Sequence, residues 1–90
     1  MTDQDRLEML KIDLGITALE YDARLLQYLK ASAMEIEREG VTLKDNIDHD
    51  NVIVQYAAWM WRKRDTGEGM PRMLRYALNN LIFSQHLESE

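Results

Sequence analysis

The residues of this 90-residue chain that can do chemistry fall into a few groups, and most of them fail the chemistry they suggest. Asn46-Ile47-Asp48-His49-Asp50 offers oxygen ligands at alternate positions, as a calcium loop does. Counted from Asn46, however, the sixth position is Asn51, where the sharp turn needs glycine. The twelfth is Ala57, where a bidentate glutamate should close the shell. The expected role is a solvated loop leading into a helix cap at Asp48. His49 and His86 stand on different segments, with no cysteine in the chain and no histidine four residues away. That spacing supports neither a zinc site nor a nucleophile–base pair. Gly67-Glu68-Gly69 lacks the Gly-Lys that completes a phosphate-cradling loop, so it is expected as a short connection. No catalytic, cofactor-binding or metal-binding residue is assigned, and the chain is expected to act by binding macromolecules rather than as an enzyme.

The remaining chemistry is recognition. Arg62-Lys63-Arg64 falls at the end of an apolar helical run, where positive charge offsets the helix dipole. With Arg72 and Arg75 it also makes a band able to meet a carboxylate-rich partner or a DNA backbone. Beyond it, Arg72, Arg75, Tyr76, Asn79, Asn80, Phe83 and His86 stand away from the apolar stripe of the last segment. From Met70 to Leu87 there is no Lys and no Glu, whereas Arg, Tyr and Phe are enriched where proteins meet. The composition points to a binding face rather than a solvated one.

The elements that position these residues are all helical, because no stretch alternates apolar and polar residues as a strand does. A short helix over about Asp3 to Asp13 aligns Leu7, Leu10 and Leu14 and stops at Gly15. A second helix is expected from a capping box at Thr17 and Glu20 to Glu39 before Gly40, some 33 Å long. Its expected packing stripe is Leu19, Ala23, Leu26, Leu29, Ala33 and Ile36. Val41 to Asn46 reads as an exposed or partner-contacting loop. A third helix is expected from Asp48 to about Arg64, and a fourth from Met70-Pro71 to about His86, with Met70, Met73, Leu74, Ala77, Leu78 and Leu81 as its core side. The architecture is therefore all-α, a small bundle of about four helices in one domain, residues 1–90.

Between Val52 and Trp61 only Gln55 is plainly polar, so the third helix needs cover on more than one side. Two explanations stand together: a central helix of a small bundle, or a subunit contact that includes Trp59. At this length a folded chain hides only about 60% of the surface its unfolded form exposes, and without cysteines its remaining support is association. The net charge of −5 is uneven: residues 1–40 carry 5 basic and 9 acidic side chains, residues 51–80 carry 5 basic and 2 acidic. Such overall acidity argues against a dedicated DNA binder. No run approaches the roughly 18 apolar residues that span a bilayer, and the N-terminus lacks a signal-peptide pattern, so a soluble protein without membrane contact is expected.

Tyr56-Ala-Ala-Trp59, Arg62-Lys-Arg64, Gly67, Met70-Pro-Arg-Met-Leu-Arg-Tyr-Ala-Leu-Asn-Asn80 and Phe83-Ser-Gln85 resemble the small α-helical head-tail connector (adaptor, head-completion) family of long-tailed double-stranded DNA phages and prophages. Leu14-Gly-Ile16, Tyr21-Asp22 and Glu39-Gly-Val-Thr-Leu43 fit the same pattern, leaving residues 1–13 and 86–90 outside it. Some relatives carry basic residues where this chain has Leu81-Ile82 and His86. The resemblance implies a structural virion protein, assembled in the bacterial host cytoplasm and lodged at the head–tail junction. There, a ring of identical subunits docks beneath the portal after packaging and extends the DNA channel toward a tail-side completion protein. In that setting Trp59, Arg72, Arg75, Tyr76, Asn79, Asn80 and Phe83 are expected to contact a neighbouring subunit or the portal, and Arg62, Lys63 and Arg64 the DNA channel or an acidic partner. The alternatives are a small helical DNA-binding, packaging or regulatory protein, and a stand-alone helical protein without an assembly role.

Overall fold

The computed structural model describes residues 2–89, with side chains described through Leu87. Among these residues the chain is helical throughout: α1 (Asp3–Leu14), a single 3-10 turn (Leu19–Tyr21), α2 (Asp22–Arg38), α3 (Ile47–Thr66) and α4 (Arg72–Ser89). The radius of gyration is 13.2 Å, close to the roughly 12 Å of a folded chain of this length.

Four helix ends have a local cause. Thr2 opens α1 with a capping box: its hydroxyl accepts from the Asp5 amide and its own amide donates to the Asp5 carboxylate, both at 3.1 Å. The Thr2 amide, and after it the Thr2 hydroxyl beside the carboxylate, hold the Asp5 carboxyl below its usual range. Gly15 closes α1 in the left-handed region at φ 71°, and Gly67 closes α3 at φ 66°. α4 starts directly after Pro71, whose carbonyl accepts from the Arg75 amide.

The second helix departs from the sequence expectation in start and in register. The Thr17–Glu20 capping box does not form. Ala18, with no capping side chain, opens the 3-10 turn, and α2 proper begins at Asp22. A local cap contributes about 1 kcal/mol, and here the position of the chain after its reversal at Gly15 prevails. Lys11 Nζ, at the end of α1, meets Asp22 Oδ1 at 2.8 Å and pins the first turn of α2. The buried line of α2 is Leu25, Leu29, Ser32 and Ile36. Leu26 and Ala33 lie half-buried beside it, Ala23 is exposed, and Leu19 is 79% exposed. Ser32 is tolerated in the centre because its hydroxyl donates to the Tyr28 carbonyl at 2.7 Å and lies 3.3 Å from Met60 Sδ.

Smaller differences mark the rest. The cap of α3 is Asn46, whose Oδ1 accepts from the His49 amide at 2.9 Å; Asp48 sits inside the first turn, where its charge suits the dipole. α3 continues to Thr66 rather than stopping at Arg64, and α4 to Ser89 rather than His86. The loop after Gly40 is not simply exposed, since Val41 is buried in the core.

α3 is the central element. Val52, Ile53, Val54, Tyr56, Ala57 and Ala58 are all buried, covered by α2, α1 and α4 of the same chain. Of the two explanations for its apolar circumference, the central-helix one is observed. Leu7 and Leu10 from α1, Leu25, Leu29 and Ile36 from α2, and Leu74 and Leu78 from α4 complete one core. One buried charge enters it: Asp50, whose side chain is 3% exposed, accepts from Arg6 Nη1 at 2.6 Å, and Arg6 also reaches Asp3 at 2.7 Å. Burial alone would lower the pKa of Arg6, but these two carboxylates outweigh it and raise it.

Candidate interaction surface on the last helix

α4 is held on its inner side at three levels. Leu74 and Leu78 pack against the core. Arg75 Nη1 reaches Glu39 Oε1 at 2.7 Å. Near the far end, Gln85 clamps the loop after α2, donating through Nε2 to the Gly40 carbonyl at 2.7 Å and accepting the Thr42 amide on Oε1. Both polar ties join residues 36 or more positions apart, so they fix the slope of α4 across α3.

The Arg75 tie has a further effect. Glu39 Oε2 is buried without a hydrogen-bond partner among the described residues. Tyr56, nearby in the core, has its phenol pKa raised chiefly by burial, then by the charges of Glu39 and Glu35, with Arg75 opposing.

On its outer side α4 is bare. Arg72, Asn79 and Asn80 are exposed, as is His86, while Tyr76 is 54% and Phe83 64% exposed. Arg72, Tyr76, Asn79 and Phe83 follow one another at spacings of four, three and four, which is one ridge along a helix. Met73, expected in the core, is instead 75% exposed, because the buried line of α4 centres on Leu74 and Leu78 and Met73 lies to one side. Ala77 and Leu81 are half-buried at its margin. Arg72 forms no ion pair among the described residues, unlike Arg75.

The other sequence-identified residues are occupied within the chain. Trp59 is half-buried; its Nε1 donates to the Glu68 carbonyl at 3.2 Å and its ring meets Tyr56 edge-on, with centroids 5.3 Å apart. It pins the connection between α3 and α4. Lys63 Nζ lies 4.2 Å from the Trp59 ring centre, and the Arg64 guanidinium 3.7 Å from that of Trp61, both cation–π contacts. Arg62 pairs with Glu68 at 3.5 Å. The basic run thus covers two tryptophans and closes a loop. Trp61 in turn meets Tyr21 and Tyr28 edge-on, at 5.9 and 5.6 Å. Sequence reasoning missed this cluster because its members come from three separate segments.

Among the described residues, no three His, Cys, Asp or Glu side chains gather as metal ligands, and no helix is long and apolar enough to cross a membrane. His49 instead accepts the Lys44 amide on Nδ1 at 2.9 Å, a loop-closing role. The geometry therefore offers one exposed aromatic and amide ridge on a firmly anchored helix. Compared with models of known protein families, with curated proteins and with solved structures, the chain matches none.

Proposed function

We propose that this chain is a non-enzymatic structural subunit of a phage or prophage head–tail connector. It forms a ring with copies of itself and docks beneath the portal in the assembling virion. The observation that carries the reading is the outer ridge of α4, where two aromatic side chains stand more than half exposed on a helix whose other side is tied down. Exposed aromatics on a rigid helix are ready to bind with little loss of conformational freedom, the usual make-up of an interface anchor. The motif resemblance around Met70 to Gln85 supplies the identity of the partner, and the double-stranded DNA of the exit channel is the remaining contact in that setting.

The basic run favours this role over a DNA-binding regulator. Arg62 pairs with Glu68 and Arg64 lies 3.9 Å from Asp65, so two of the three charges already face carboxylates of the same chain. Native mass spectrometry of the protein with and without a portal tests the proposal. A ring, alone or on the portal, is the expected result. A monomer that ignores the portal sinks it. Phe83→Ser is the informative variant; Arg75 is a poor choice, since its removal also strands Glu39.

A further inference from the structure

Along the polar side of α3 run three successive cavities, the first walled by α4, the second by α4 and α1, and the third by α1 and the connection after α3. The first, of about 390 Å³, is lined by Asp48, Asn51, Gln55, Ala77, Asn80 and Ser84, among others. The second, about 300 Å³, shares Gln55 and continues along Ala58, Arg62, Met73 and Asp13. The third, about 320 Å³, shares Asp13 and Arg62 and ends at Asp65 and Glu68. From Asp48 to Asp65 the floor follows seventeen residues of helix, about 25 Å. Its charged lining is Asp13, Asp48, Asp65 and Glu68 against Arg62; Arg62 pairs with Glu68 and Asp65 lies 3.9 Å from Arg64, which leaves Asp13 and Asp48 as its net charge. The groove is acidic, and Asp13 and Asp48 form no ion pair among the described residues.

The ridge of α4 has the complementary features. It carries Arg72 and no carboxylate through Leu87, and its two aromatics are seven residues apart, about 10 Å along the axis. The floor residues of the first cavity centre near Asn51 and those of the second near Ala58, which is the same seven-residue step. Small side chains, Ala77 and Ser84 in the first cavity and Ala58 in the second, leave room for a ring at each place.

We propose that the outer ridge of α4 of one copy lies in the acidic groove of the next, with Phe83 in the cavity lined by Ser84, Tyr76 in that over Ala58, and Arg72 at the Asp13 end. The occupant, a second copy of this chain, rests on the ring-forming reading above. Ridge and groove are different surfaces of one molecule, so the contact is head-to-tail and repeats from copy to copy until rotation closes it. Aromatics entering small-residue hollows supply contact, while Arg72 against Asp13 sets direction and register.

Because the chain has no cysteine, single cysteines report the contact without background. Asn79→Cys, on the ridge between the two aromatics, and Gln55→Cys, on the floor shared by the first two cavities, are made in separate chains, mixed and oxidised. The expected product is predominantly the mixed cross-link. Predominant Asn79→Cys homodimers mean that ridges pair with one another, and predominant Gln55→Cys homodimers or no cross-link mean that the groove takes no ridge; each overturns the proposal. In sedimentation velocity, Arg72→Asp should weaken self-association about tenfold, and Asp13→Lys in the same chain should restore it. Absence of either effect also overturns it. A chain that binds the portal yet cross-links in another pattern keeps the connector role and loses this docking; the mixed cross-link without portal binding keeps the docking and removes the role.

Discussion

α3 and α4 both present apolar side chains on more than one face, and the fold covers them to different extents. Around α3 the cover is complete enough that six residues between Val52 and Ala58 are buried, with Trp59 and Trp61 sealed by cations at its end. Around α4, among the described residues, only the line through Leu74 and Leu78 is buried, while Met73, Tyr76 and Phe83 are more than half exposed. A chain this small has too few helices to surround two centres. The helix that receives neighbours on several sides becomes core, and the one laid over it last keeps an outer face for something else. Apolar content therefore does not by itself mark an interface; what marks it is apolar content left over after the chain's own helices are placed.

The comparison can be broken at several points. The largest effect is expected at the inner face of α4: Leu78→Ala, at a fully buried site, should cost about 3–4 kcal/mol in urea unfolding. A loss below about 1 kcal/mol would mean that α4 is not integral to the core. Next is Arg6→Ala, which leaves the buried Asp50 without its guanidinium and should cost about 3 kcal/mol. If α1 is only loosely attached, the loss will be much smaller. Gln85→Ala removes two ties between α4 and the loop at Gly40 and should cost about 1–2 kcal/mol, with faster hydrogen exchange at the Thr42 amide. Unchanged exchange there would show that the clamp does not hold.

Tyr56 gives a pH test of the same packing. Its folded pKa lies above the unfolded one, so the fold favours the neutral phenol. This contribution is present below about pH 10 and is lost as pH rises through the folded pKa. In an ultraviolet titration Tyr56 should ionise later than a freely exposed phenol, a delay that Tyr56→Phe removes. The smallest stability change belongs to the outer ridge. Phe83→Ser should stay within about 0.5 kcal/mol of the parent while abolishing association. A large destabilisation would place Phe83 in the core and erase the contrast between the two helices.

Much of this was legible in the residues. Glycines at 15, 40 and 67 all adopt positive φ at helix ends, and the absence of strand alternation predicts the all-α class. The exposed side of α4 was also readable, because a surface without Lys or Glu is unusual however it is packed. The capping box at Thr17 and the stripe through Leu19 and Leu26 were misleading. Both depend on phase, and a stripe that is apolar over a wide arc allows a one-residue shift at little local cost. The site residues Trp59, Lys63 and Arg64 turned out to be engaged with each other and with Trp61, which composition cannot reveal.

The amino-acid sequence by itself determined the helical class and the breaks at Gly15, Gly40, Gly67 and Pro71, since glycine conformation, proline placement and periodicity act over a few neighbouring residues; it did not determine where α2 begins. Tertiary structure alone decided which apolar faces stay uncovered, and that Gln85 and Arg75 anchor α4 to residues near Gly40. Those outcomes depend on helices meeting across 36 or more positions of chain, where the relative placement of whole elements, and not local preference, sets what each side chain can reach.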